Sequence, residues 1–389
     1  MKRVLILAFS FVSYILFSYT IGVITSYSTE TYSLLVDASN LINEEYSEYK
    51  DYVKFINSSS DLTCDYYVNL YLTYDSTNNL YKATYKDFDY IVSSVYSPKG
   101  YKKYSTFLEE IVYYPLEKIS INKLKRRDFD NYLRLTFYPG VDEYGDFKDG
   151  KFLFITDRLG GNRNLAYIDI QNEKITLLPV WSSSEYYPRF SPDMKMLLFQ
   201  GSLHGNWSIY TMPFGVSDYS KKIKKISDSN LPSYTPVWYD NDNVLYIQDT
   251  EKGNVMIMAN IYNGKKQVLN VYGDMVFTPF VYDGNIYYTS LNGANFGIYK
   301  YVDGKNFKVE DSFYNEHDPV IYKNKLVFTS NRDGIYRIWM KDLDTSSVTC
   351  LTSDINYDVF YPTVSDGLLF FSVYKDGEEP DIFVKKLDF

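Results

Sequence analysis

Between Tyr187 and Met212 the chain alternates short apolar runs with turn residues, YPRFSPDMKMLLFQGSLHGNWSIYTM. Pro188 opens a strand, where its missing N–H costs no ladder bond. Ser191-Pro192-Asp193 is turn chemistry: the ring presets φ, and the flanking side chains bond local backbone. Met196 to Phe199 is wholly apolar, as in a strand covered on both faces. Gly205-Asn206 makes the next turn, and a third strand follows from Trp207. The unit recurs. Copies begin at Pro139, Pro188, Pro236, Pro279, Pro319 and Pro362, each with a turn and then an apolar strand such as Val244 to Ile247 or Leu326 to Phe328. A repeat of about 40 to 50 residues built from short strands predicts a β-propeller, because one such sheet buries its faces only between neighbours. Six blades are expected.

The first 120 residues lack this period. Helical spacing of apolar positions over Tyr32 to Tyr46, alternation over Tyr67 to Tyr74 and Leu80 to Tyr85, an apolar run at Ile91 to Val95 and a second helical pattern from Tyr104 predict a small α/β domain over 21–120. The basic stretch 121–131 reads as a linker, and 132–389 as the propeller. Its sixth blade stops after a third strand, Asp381 to Val384. The segment 132–137, YLRLTF, is similar to the outer strand VTCLT (348–352) and is expected to close the ring, removing a free edge.

Residues 1–20 begin Lys2-Arg3 and continue apolar from Val4, the pattern of a secretory signal. Cleavage near Thr20 is favoured over an anchor formed by residues 4–24, since Ile21 to Ile24 reads as the first strand; either outcome places the folded chain in the periplasm. The 389 residues carry a net charge of −9, which argues against nucleic acid, whose phosphates need a basic face. Tyrosine is abundant, 43 residues, a bias expected of an AT-rich genome rather than of one binding surface. The only two cysteines, Cys64 and Cys350, are expected to be separate buried thiols.

Catalytic patterns are missing. Gly145-x4-Gly150-Lys151 starts like a phosphate loop, but Phe152 stands where Ser or Thr is needed. Asp240 to Asn243 lacks the Gly and distal Glu of a calcium loop. His204 and His317 have no nucleophile fixed beside them. No enzyme, metal or cofactor is expected. Side chains just ahead of each inner strand should ring one mouth of the channel: Phe137/Tyr138, Tyr186/Tyr187, Tyr234/Thr235, Phe277/Thr278, His317/Asp318 and Phe360/Tyr361. Such an aromatic surface suits a protein partner.

Pro-x-Phe-Ser-Pro-Asp at 188–193, followed by an apolar strand and the Gly205 to Tyr210 strand, resembles the repeat of TolB-like propellers. The order of strand, helix, hairpin and helix ahead of six blades, behind a leader, strengthens the likeness. The resemblance implies a non-enzymatic, periplasmic part of a Tol–Pal envelope system, docking a Pal-like peptidoglycan-associated lipoprotein through residues before the repeat prolines. Tyr187, Tyr234, Thr235, Phe277, Thr278, His317, Asp318 and Tyr361 are the expected contact residues, on a monomer. One feature differs: those propellers take their last inner strand from the C-terminus. The alternative is a periplasmic binder of small molecules or glycans; a hydrolase is less favoured.

Overall fold

A computed structural model describes residues 19–56, 64–86, 91–180, 183–228 and 230–389. All of the expected leader except its last two residues falls outside them. Among the described residues no helix is long and apolar enough to cross a membrane.

The chain forms two compact units, divided after Leu108. In the first, β1 (Ile21–Ser26), β2 (Val53–Ile56), β3 (Tyr66–Asp75), β4 (Leu80–Lys86) and β5 (Ile91–Tyr96) form one sheet in the order β2-β1-β3-β4-β5. β1 runs parallel to both neighbours, which requires a crossover, and α1 (Tyr32–Glu44) lies between β1 and β2 in sequence. α1 turns Leu34, Leu35, Ala38 and Ile42 inward at helical spacing. Ahead of β1, the Thr20 amide donates to Asp65 Oδ2 at 2.6 Å, fixing the start of the strand.

A second helix, α2, spans Tyr104–Arg126. The linker expected at 121–131 is therefore helical up to Arg126. Its basic residues hide the reason: Ile121 and Leu124 are buried in one cluster with Leu133, Leu135, Phe147 and Phe152, so the apolar stripe continues past the expected end. Lys125 meanwhile reaches Glu173 at 2.8 Å.

In the second unit, six four-stranded antiparallel sheets follow one another. Five take their strands in chain order. The sixth has the order inner strand Asp358–Ser365, Leu368–Tyr374, Asp381–Lys386 and then β6 (Tyr132–Arg134). β6 pairs antiparallel with the last strand, Arg134 opposite Phe383 and Leu133 opposite Val384. The Leu135 amide adds a bond to the Ile382 carbonyl at 2.8 Å. The core lies between the sheets: Leu153, Ile155 and Leu165 of the first meet Leu197, Phe199 and Tyr210 of the second. Cys64 and Cys350 are free thiols, half-buried rather than buried.

The first blade differs from expectation. Its inner strand is Asp142–Lys148, and Pro139 lies upstream of it. Gly145 holds the place that proline holds in the other five blades.

Candidate functional site: the propeller channel

Every inner strand shifts register at one point: Glu143/Asp146, Tyr186/Arg189, Tyr234/Val237, Phe277/Phe280, His317/Val320 and Phe360/Thr363. At each shift one residue is left-handed: Tyr144, Tyr187, Thr235, Thr278, Asp318 and Tyr361, with φ from 36° to 58°. Tyr, Thr and Asp reach this region only at a cost of order 1–3 kcal/mol each, so the surroundings must hold them there. A bulge re-aims a side chain. All six of these residues line the central cavity.

The bulge separates the two residues of five of the six expected pairs. Tyr187, Thr235, Thr278, Asp318 and Tyr361 face the lumen. Phe277 and His317 instead join a chain of rings around the rim, and Tyr234 donates to Asp249 Oδ2 at 3.1 Å. The chain runs Phe277–Phe296–His317–Tyr336–Phe360–Tyr374, with successive centroids 4.8–6.0 Å apart. On the second blade Tyr186 meets Trp207 at 5.3 Å, and the Arg163 guanidinium lies 5.4 Å from the Tyr186 ring. These rings are half-buried. Burial lowers the His317 pKa to about 4, so its imidazole is neutral at physiological pH.

Inside the lumen Tyr144 packs between Tyr187 and Tyr361, at 4.5 and 3.9 Å between centroids, and accepts a hydrogen bond from Tyr361 Oη at 2.9 Å. Burial raises all three phenol pKa values. Asp146, Arg189 and Asp318 line the same cavity. Arg189 Nη1 donates to the Gly145 and Pro188 carbonyls, both at 3.1 Å. Asp146 accepts the Phe190 amide at 2.7 Å. Burial raises the Asp318 carboxyl to about 6 and moves Asp146 the same way, while Arg189 opposes both shifts.

The sequence reading missed Glu143 and Tyr144, since it placed the first blade at Pro139 and expected Phe137/Tyr138 at the mouth. Phe137 is instead buried, its amide bonded to Glu117, and the Tyr138 ring packs against Arg158. Spacing carried the signal: Tyr144 precedes Tyr187 by 43 residues, within the range of the other repeats, whereas Pro139 to Pro188 is 49. Arg189 and Asp146 were missed because only residues ahead of each repeat proline were read as channel-facing, whereas both lie two residues past the left-handed one and face the lumen with it.

No family model and no curated protein matches the chain. Solved structures do. Tricorn protease is 17% identical over 63% of this chain and 26% of its own, with a TM-score of 0.50. A protein designated TolB in Agrobacterium tumefaciens is 18% identical over 64% of this chain and 92% of its own, TM-score 0.49. TolB from Acinetobacter baumannii is 12% identical, covering 95% of this chain and 94% of its own, TM-score 0.45. The likeness is one of fold. Six four-stranded sheets in succession make a six-bladed β-propeller, a fold that the tricorn protease structure shares. This chain spans about a quarter of tricorn protease.

Proposed function

We propose that this chain is a non-catalytic, exported propeller that holds an envelope protein against its aromatic rim, as a TolB-like component of a Tol–Pal system would. The observation that carries this reading is the contiguous band of half-buried rings from Phe277 to Tyr374. Aromatic side chains offer large contact area for the loss of only two torsions, so they anchor interfaces. Their mutual packing fixes them before a partner arrives, which lowers the entropy cost of association. The partner in this reading is a Pal-like peptidoglycan-associated lipoprotein in the periplasm.

Purified protein immobilised on a sensor and exposed to the Pal-like lipoprotein of the same cell should bind it. Phe277→Ala and Phe360→Ala should each weaken binding by about tenfold, the scale of an interface anchor. Equal binding by both variants would remove the rim as the docking surface. No binding by the parent protein would remove this lipoprotein as the partner.

A further inference from the structure

The channel contains a cavity of about 330 Å³ that does not belong to the rim. It starts at the six left-handed residues and follows the inner strands towards their C-terminal ends, where Lys148, Pro192 and Ser365 line it. The rim residues Tyr186, Phe277, His317 and Phe360 precede the left-handed ones on the same strands, at the opposite end. Between the two stands the packed trio Tyr144, Tyr187 and Tyr361. The cavity extends from this level towards the inner hairpin turns.

Its walls carry opposite charges within one small volume. Asp318, Asp146 and Arg189 all line it, and the guanidinium charge partly offsets the rise that burial gives both carboxyls. Arg189 spends Nη1 on two carbonyls; no bond from its Nε or Nη2 is made among the described residues. Thr235 is 7% exposed and lines the cavity, and its hydroxyl has no hydrogen-bond partner among the described residues. A buried hydroxyl left unpaired costs about 1–3 kcal/mol, which a ligand atom reaching it would recover. Tyr144 is packed against both Tyr187 and Tyr361, which leaves its ring little room to stack on a sugar.

We propose that this pocket binds a small zwitterion, an amino acid or dipeptide, with its carboxylate on Arg189, its ammonium on Asp318 and a polar atom on the Thr235 hydroxyl. Arg pairs with carboxylates through its fork of donors, and a carboxylate has acceptor sites beyond those Asp318 already uses with Thr329. The pocket volume lies at the lower end of the range for small-molecule sites, as a dipeptide requires.

Isothermal titration of the full protein with glycylglycine tests this. Glycylglycine should bind, and the same dipeptide acetylated and amidated, which carries no charge, should bind about tenfold or more weakly, as loss of charged hydrogen bonds requires. Arg189→Gln should lose about tenfold, and Thr235→Val, which keeps shape and β-branching, several-fold. Thr235→Val carries the test if Arg189→Gln does not fold. No heat with glycylglycine, equal binding of the blocked dipeptide, glucose binding in its place, or unchanged affinity in a folded Thr235→Val would each overturn the proposal.

Discussion

At the scale of single residues, Glu185 shows how one missing partner changes a repeated position. Three blades place an acid at the start of the inner strand and fully bury it: Asp142, Glu185 and Glu316. In two of them an arginine two residues beyond the second strand answers it. Arg158 bonds Asp142 at 2.5 Å and Arg332 bonds Glu316 at 3.1 Å. The corresponding residue in the second blade is Leu203. Glu185 Oε2 accordingly has no partner among the described residues, Oε1 has only the Ser183 hydroxyl at 3.5 Å, and burial raises its carboxyl to about 8. The folded protein therefore keeps a proton that the unfolded chain releases near its ordinary value of 4.5. Between those two pH values the native state binds more protons, so this group's contribution to stability falls as pH rises from 4.5 towards 8. Glu185→Gln should stabilise by up to about 3 kcal/mol at pH 7 and by almost nothing at pH 4. Urea unfolding at both pH values measures this, and an equal effect at the two would show that the native carboxyl is not held protonated. The acid was visible in the sequence. Its isolation was not, because it depends on which side chain a neighbouring turn delivers.

At the scale of elements, the proline repeat made five inner strands legible and misplaced the sixth. What the fold requires at the bulge is a residue fitting a tight, left-handed-then-extended corner; proline does this in five blades and Gly145 in the first. A Cβ built on Gly145 would lie 2.1 Å from Phe152 Cζ. Phe152 is 1% exposed and stacks on Phe370 at 4.6 Å, so it has nowhere to retreat. Gly145→Ala should cost about 1–3 kcal/mol through overpacking, read as a drop in melting temperature. A melting temperature within a degree of the parent would mean that the Phe152 ring can rotate away. The helix α2 shows the opposite failure. Its lysines and arginines resemble a solvated linker, yet Glu117 on the same helix accepts Arg158 at 2.6 Å and is 1% exposed. A basic composition reports the exposed stripe of a helix and says nothing of the stripe that is buried.

At the scale of the whole ring, stability turns on one seam. The likeness of YLRLTF to VTCLT pointed to the closing segment because outer strands share a pattern; the strand proper is only Tyr132–Arg134. The seam's strength comes from side chains that no repeat predicts. Asp381 accepts Arg134 Nη2 at 2.5 Å through Oδ2 and the Thr136 hydroxyl at 3.1 Å through Oδ1. Thr136 Oγ1 in turn accepts the Ile382 amide at 2.9 Å. Leu133 and Leu135 are buried with Phe147, Phe370 and Val384, so the seam also packs the sixth sheet against the first. Removing Asp381 takes its carboxylate from the largely buried Arg134, and breaking such a pair costs about 3–5 kcal/mol. Asp381→Ala should therefore lower the urea midpoint by that amount. It should also release the amides of Phe383 to Lys386 to faster hydrogen exchange before those of the third blade, since an unclosed ring frays from its free edge. A loss below about 1 kcal/mol with unchanged exchange would assign the seam to the burial of Leu133 and Leu135 alone, and Leu133→Ala would then be the substitution that opens the ring.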